Sequence, residues 1–562
     1  MKQKILYLVF ILLSISLKAQ DKKYIFPMDI PVVMSASFAE LRPNHFHGGI
    51  DISTGGVIGV PVKASDEGYV SRIKVSPYGY GYGLFITHND GHTTVYGHLS
   101  EYAPKIDTVI RKEQIRLQSF DVDYYPKKDE IKVKSGEIIA YSGNTGGSGG
   151  PHLHYEVRET EREIGLNPLK FIKTIDDNRP PEVYGIKIYT MDDSAQVGSK
   201  AESKYFSLPE IQNKTIECYG NIGFGINAND FFSVGGRPCG VTEVSLYDGD
   251  NLIYQSRLDS IAIDKSRYIN SFIDYADLQQ TKRYIQKCFI EENNQLKIFR
   301  CYKPFSVKSG EFHKIKFVLK DFVGNTKIVN FSVKGVYSPS VTAKKPLGTY
   351  VCWATDNFYD TLDMEVEIPN GNFYKDEFIE FSKEDSTIFK RAVYHVGSGD
   401  IPIQNSVKIT IPIPESINSI IGTKLSEKQV FIARIGKRNS LGYLGGEIDS
   451  STSRISVKTR SLGSFIVATD TIAPRVVSKN SSTLLSNSHN VMIGISDNMS
   501  GINKYNCFID GEWKIFEFDY KNARLIAPVK KLGLQPGWHT LEAKIEDCCG
   551  NEKVFQWKFR TR

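Results

Sequence analysis

Cysteine is missing from the first two hundred residues of this 562-residue chain: eight occur, the first at Cys218 and the last at Cys549. A site built in the N-terminal third must therefore work without thiolate ligands or a cysteine nucleophile. Charge of one sign is also scarce. The formal net charge is +6, and it falls to about +3 if Lys2, Lys4 and Lys18 leave with a leader, so nucleic acid is not an expected partner. Only one long apolar run occurs, from Ile5 to Leu17, preceded by Lys2 and Lys4 and followed by Ala19. That is the layout of a secretory signal peptide over residues 1–20, and the run is short for a membrane span. No cysteine follows it, so a lipid anchor is not expected. The mature chain is expected to be exported, to the periplasm, cell surface or medium, without a transmembrane segment. Helical heptads are absent as well. The Gly-rich stretch Ser142–Gly150 lacks the Gly-Lys-Ser/Thr ending of a phosphate-binding loop. It reads instead as a turn that lets a substrate backbone approach.

What is present is aromatic and turn-forming: 31 Phe, 30 Tyr and 46 Gly, the composition of a mainly β protein. Such a length calls for several domains. From about residue 28 to 172, short strand patterns alternate with Gly-rich turns, among them GYVSRIKV, YGLFITH, HTTVYGH and HLHYEVR. Asn89-Asp90-Gly91 between two of them signals a hairpin. An antiparallel β domain is expected over 21–172.

An internal repeat follows. DNRPPEV from Asp177 resembles DTIAPRV from Asp470, DFVGNTKIVNFSV from Asp321 resembles DCCGNEKVFQWKF from Asp547, and GINAND from Gly225 matches GISDN from Gly494. Two immunoglobulin-like β-sandwich modules are expected, at 173–337 and 469–562, with a β-rich module of unassigned type at 338–468. The first copy carries an insertion with a short helix in DYADLQQTKRYIQK. Cys288 and Cys301 flank the turn-like EENNQL, where a hairpin would place them close enough to bridge; two buried thiols are the alternative.

The histidines are the most informative residues. Seven of the eleven lie between His45 and His154, in or near HFHGGID, YGHLS and GPHLHYEVR. On an extended segment, even spacing sets His47 and Asp51 on one face with Ile50 and Ile52 on the other. An imidazole and a carboxylate together suit Zn²⁺. His152 and His154 flank Leu153 on a strand, so both rings face one side and either could complete the set. Three protein ligands leave a fourth tetrahedral position open, the mark of a catalytic site. Alternation in TTVYGHLS puts Thr94, Tyr96 and His98 on one polar face. His45 reads as a residue near the metal or on the surface, while solvent exposure accounts for His88 and His92.

These three motifs, in this order, resemble the lysostaphin/LytM-type zinc metallopeptidases, many of them peptidoglycan endopeptidases. The resemblance spans about residues 28–170. It implies one zinc per chain held by His47, Asp51 and His154, and a catalytic pair formed by His98 and His152. One of the pair would assist removal of a proton from water and the other would stabilise the oxyanion. The implied activity is hydrolysis of amide bonds in peptidoglycan cross-link peptides. The C-terminal modules would serve as spacers or bind the wall or other cell-envelope proteins. The chain departs from the family pattern in a long insertion from Glu101 to about Ile131, with an amphipathic helix in IDTVIRKEQIRLQSF and an extended FDVDYYP. It is expected to wall or cover the substrate groove, with a plain surface loop as the alternative. Two other readings are a non-catalytic regulator of another wall hydrolase, against which the intact ligand motifs argue, and an endopeptidase of secreted glycine-rich proteins.

Overall fold

The computed structural model describes residues 24–172, 176–232, 236–342 and 347–562; the expected leader at 1–20 lies outside them. The fold is mostly β, as expected. Its N-terminal sheet uses strands β1 (Met34–Ala36), β2 (Ile50–Ser53), β3 (Gly68–Val75), β4 (Tyr82–His88) and β5 (His92–Leu99). After helix α1 (Pro104–Leu117) come β6 (Val122–Tyr124), β7 (His152–Glu159) and β8 (Ile164–Leu166). The spatial order is β1-β2-β7-β5-β4-β3-β6, with β8 paired to β7. These neighbours are antiparallel, as the hairpin signals require. Gly91, at φ 86°, closes the β4–β5 hairpin in a conformation open to glycine.

Period-two alternation sets the core. Ile50, Ile52, Tyr96, Leu153 and Tyr155 are all fully buried on one face of β2, β7 and β5, each aliphatic side chain contributing about 1.5–3 kcal/mol of burial. The opposite face of the same strands is free to carry polar groups. β2, β7 and β5 are adjacent in the middle of the sheet, so polar residues on that face converge.

The insertion after β5 does form a helix and an extended strand, but it does not wall the groove. Pro104 starts α1, Gln118 ends it in the left-handed region (φ 46°), and its apolar stripe buries Ile106 and Ile110. Phe120 and Val122 continue that packing, and β6 adds to β3 at the sheet edge away from β2. The helix needs an apolar partner, and the sheet edge supplies one remote from the histidine motifs.

The next region wraps back onto this sheet. Strand β9 (Ser260–Ala262) pairs with β8, and Ile261, Ile269, Phe272 and Ile298 join the N-terminal core. The expected helix appears as Tyr275–Thr281, capped by the Asp274 carboxylate accepting from the Asp277 N–H. The 17-residue strand Thr215–Phe231 runs parallel to Ser332–Gly335 at one end and antiparallel to Glu182–Thr190 further along, joining two layers around one core. The hairpin around EENNQL does not form. Gln286–Lys287 pairs with Thr215–Phe231 and Phe299–Tyr302 pairs with Asn251–Arg257, so Cys288 and Cys301 sit on separate ladders as free thiols. Two five-stranded sheets enclose a third core between Val351 and Val467. A four- and a five-stranded sheet enclose a fourth between Val476 and Phe559.

Candidate metal centre

β2 and β7 pair with Asp51 opposite His154 and Ser53 opposite His152, and β7 pairs with β5 with His154 opposite Gly97. This register brings Asp51, His152 and His154 onto the face away from the core. His47 lies just before β2, outside the strand, and reaches the same point through the Gly48-Gly49 turn. The close passage there needs glycine: a Cβ on Gly49 would stand 2.2 Å from the Tyr155 carbonyl oxygen.

Three donor atoms meet. His47 Nε2 and Asp51 Oδ1 are 3.0 Å apart, His154 Nδ1 and Asp51 Oδ1 2.9 Å, and His47 Nε2 and His154 Nδ1 3.0 Å. A tetrahedral ion about 2.0–2.1 Å from each donor needs donors roughly 3.3 Å apart. The second nitrogen of each ring is committed elsewhere. His47 Nδ1–H donates to the Ser37 carbonyl at 2.7 Å, and His154 Nε2–H donates to Glu156 Oε1 at 2.8 Å. Both lone pairs therefore point at the carboxylate oxygen. Three acceptors converging on one buried point repel one another unless a cation lies between them, and the donor set of two imidazoles and a carboxylate suits zinc. His47, Asp51 and His154 are 4%, 6% and 6% exposed, so water does little to relieve that repulsion.

A proton on His154 and a metal cation compete for this point, since an imidazole ligates a metal only when that nitrogen is unprotonated. Burial pushes the Asp51 carboxyl up, but the imidazoles of His47, His152 and His154 outweigh it and hold it well below the usual range. His154 is disfavoured as a cation by burial, yet Asp51 and Glu156 bring it up to about 9. Burial lowers His47.

His98 and His152 flank this point. Their rings lie 4.8 Å apart, and His98 is 5.8 Å from His154. His98 Nδ1–H donates to the Thr145 carbonyl at 2.9 Å, and His152 Nδ1–H donates to the Gly150 carbonyl at 2.7 Å. His152 Nε2 is 3.5 Å from Asp51 Oδ1. Burial, with His154 and His152 nearby, takes His98 down to about 3 and keeps it neutral.

His98 reaches the centre by a route that alternation does not foresee. Cross-strand pairing places Tyr96 beside Tyr155 on the core face, so simple alternation would send His98 into the core with it. Between Tyr82↔Leu99 and Leu84↔Tyr96, two residues of β5, Gly97 and His98, oppose one residue of β4. This β-bulge, with His98 at φ 58°, turns its ring to the polar face. The shared face expected for Tyr96 and His98 is thus corrected by one extra residue.

Four further residues belong to the site. Glu156 and Arg158 continue the even spacing of His152 and His154, a signal present in HLHYEVR. Arg158 donates to Glu156 Oε2 at 2.6 Å and to the Tyr80 hydroxyl at 2.7 Å, and Tyr80 donates to Glu156 Oε1 at 2.7 Å. Burial opposes ionisation of Glu156, but Arg158 and His154 hold its carboxyl well below the ordinary range. Arg42 Nη2 donates to Asp51 Oδ2 at 3.3 Å. His45 is exposed at the groove rim with Nδ1 on the Pro43 carbonyl. His88 is buried, not exposed as expected, because its ring bridges the Glu67 carbonyl and the Thr94 hydroxyl.

An open groove of about 1040 Å³ runs over the five motif residues. Ser148–Pro151 forms part of it, and Arg237, Ile261, Ile263 and Ser266 of the next region form another part; none of Glu101–Ile131 lines it.

The sequence matches the profile of Peptidase family M23 over residues 45–115 and 117–166, and that of a Zu5-like domain over 348–470. Among similar proteins, the DD-carboxypeptidase/endopeptidase Mpg of Neisseria meningitidis is 35% identical over 123 residues, 22% of each chain. Lysostaphin of Staphylococcus simulans is 34% identical over 131 residues, 23% of this chain and 22% of that one. Peptidoglycan DD-endopeptidase ShyB of Vibrio cholerae is 33% identical over 118 residues, 21% of this chain and 22% of its own. The chain thus spans about a fifth of the length of the relatives it matches. The matched stretch holds all five motif residues, four histidines and one aspartate, together with β2 to β8, and the N-terminal region of this chain is a Peptidase family M23 domain of the LytM/lysostaphin type.

Proposed function

We propose that the N-terminal domain is a zinc-dependent endopeptidase that hydrolyses amide bonds in peptidoglycan cross-link peptides. The observation that supports it most is the convergence of His47 Nε2, Asp51 Oδ1 and His154 Nδ1 within about 3 Å, with each ring's other nitrogen tied to an acceptor. These three would hold one zinc ion. When bound, zinc supplies Lewis acidity that activates water near neutral pH and polarises the scissile carbonyl. Glu156, Arg158 and Tyr80 orient His154, and Arg42 orients Asp51.

His98 and His152 handle protons. Each presents Nε2 to the groove because its Nδ1–H is held by a backbone carbonyl. His98 stays neutral and accepts the proton of the attacking water. His152, its Nε2 3.5 Å from Asp51 Oδ1, faces the part of the groove where the oxyanion would develop on the substrate. The open groove admits an extended peptide, and Gly149 and Gly150 leave open space where it passes His152.

Peptidoglycan as substrate draws on the names of two relatives, Peptidoglycan DD-endopeptidase ShyB and the DD-carboxypeptidase/endopeptidase Mpg. Export, read from residues 1–20, agrees with that substrate, and among the described residues no helix is long and apolar enough to cross a membrane. We divide the mature chain into the peptidase domain at 21–172, immunoglobulin-like modules at 173–337 and 469–562, and a β-rich module at 338–468. Digestion of peptidoglycan sacculi alongside a soluble glycine-rich protein tests the substrate. Release from sacculi alone is the expected result; cleavage of the soluble protein alone would replace wall peptide with secreted protein as the substrate.

A further inference from the structure

Two clusters of three carboxylates stand outside the peptidase centre, one in each copy of the sequence repeat. In the first, Asp177, Asp230 and Asp321 each bring a carboxylate oxygen within 4.8 Å of the other two; in the second, Asp470, Asp497 and Asp547 do the same. Each set draws on three separate stretches of chain: the segment entering the module, the end of an inner strand, and the turn before the final strand.

The scaffolding is the same in both. Asn325 Nδ2 donates to the Asp177 carbonyl at 3.1 Å and to Asp321 Oδ2 at 2.7 Å. Asn551 Nδ2 donates to the Asp470 carbonyl at 3.0 Å and to Asp547 Oδ2 at 2.8 Å. Asp321 Oδ1 and Asp547 Oδ1 each accept from the following Asn N–H at 2.9 Å.

What these hydrogen bonds do not do is neutralise the charge. Asp230 is only 3% exposed, faces two other carboxylates, and its Oδ1 has no hydrogen-bond donor among the described residues. Asp497 in the second copy is only partly buried; its Oδ1 has no donor among the described residues, while its Oδ2 accepts from the Met499 and Gly501 N–H groups. Among the described residues, no Lys or Arg forms an ion pair with Asp230, Asp321, Asp497 or Asp547. Burial and the neighbouring carboxylates of Asp321 and Asp177 push Asp230 up to about 7. A carboxylate buried beside like charges with an oxygen unpartnered is costly unless a cation completes it.

We propose that each repeat binds one hard divalent cation of the calcium class, through Asp177, Asp230 and Asp321 in the first and Asp470, Asp497 and Asp547 in the second. Every donor is oxygen and neither set contains His or Cys, which favours calcium over zinc. Two oxygens on one Ca²⁺ can be no farther apart than twice the metal–oxygen distance, roughly 4.6–5.2 Å, and the observed clusters lie within it. Asp177 and Asp470 stand where the chain enters each module, so the ion ties the entering segment to the module body and fixes the junction with the unit before it.

Equilibrium dialysis of the full zinc-loaded chain against Ca²⁺ tests this. The expected result is two Ca²⁺ per chain with affinities between about 0.1 and 1 mM, the range of extracellular modules, and a higher unfolding midpoint in Ca²⁺. Asp230→Asn and Asp497→Asn should each bind one Ca²⁺ and the double variant none, while zinc stays at one per chain. No Ca²⁺ bound by the wild-type chain, or binding unchanged in both variants, overturns the proposal without reliance on how any variant folds. Loss in one variant only leaves that repeat's site and removes the other.

Discussion

Asp51 and His154 are direct cross-strand partners, and their facing Oδ1 and Nδ1 atoms are 2.9 Å apart. The centre is therefore a consequence of sheet register. A slip of one residue between β2 and β7 would turn Asp51 into the core and Ile50 or Ile52 into the groove. Because both strands are buried on their other face, that slip exposes several large aliphatic side chains, and the register is correspondingly well fixed.

His154→Ala removes one of the three donors. Zinc content, read by atomic absorption on the purified chain, is expected to fall from one per chain toward none, and hydrolysis to disappear with it. Undiminished zinc in this variant would mean that another residue holds the ion.

His98→Ala separates chemistry from metal binding. Zinc should remain at one per chain, while the rate falls by about 10²–10⁴, the usual contribution of a positioned acid or base. A fully active His98→Ala protein would refute its role.

Glu156→Gln keeps the size of the side chain but removes the charge that His154, Arg158 and Tyr80 share. Loss of such a partner commonly weakens metal affinity by about 10–100-fold. Competition against a chelator of known affinity measures it, and an unchanged affinity would confine Glu156 to packing.

Gly49→Ala should destabilise the domain by on the order of 2 kcal/mol or more, because its Cβ would stand 2.2 Å from the Tyr155 oxygen and force β2 and β7 apart. Gly149→Ala, with no heavy atom within 4 Å of the added carbon, is the near-neutral control in the same urea titration.

Much of this site was legible because strand alternation is a local property. The faces of β2 and β7 follow from even spacing, and Glu156 and Arg158 lie on the same pattern. The position of His98 does not, since its bulge is defined by the partner strand β4 and not by β5. The burial of His88 is not legible for a related reason: the sequence marks the turn at Asn89-Asp90-Gly91 but not the Thr94 hydroxyl and Glu67 carbonyl that hold the ring. The Cys288–Cys301 hairpin failed because each flanking strand found a longer-range partner. The helix and strand of the Glu101–Ile131 insertion are visible in its sequence, but their location depends on which sheet edge stands open. Nor does any local signal announce that the last module touches the peptidase loop, where Lys521 Nζ donates to the Asn144 carbonyl at 2.7 Å and Tyr520 packs on Tyr78.

Metal-dependent cleavage of wall peptides is tested most directly on the wall itself. Purified mature protein is incubated with peptidoglycan sacculi, with and without a zinc chelator, and the released fragments are identified by mass spectrometry. Release of peptides cut within cross-links, abolished by the chelator and restored by added zinc, is the predicted result. No cleavage by a chain that carries one zinc, or cleavage indifferent to the chelator, would contradict it.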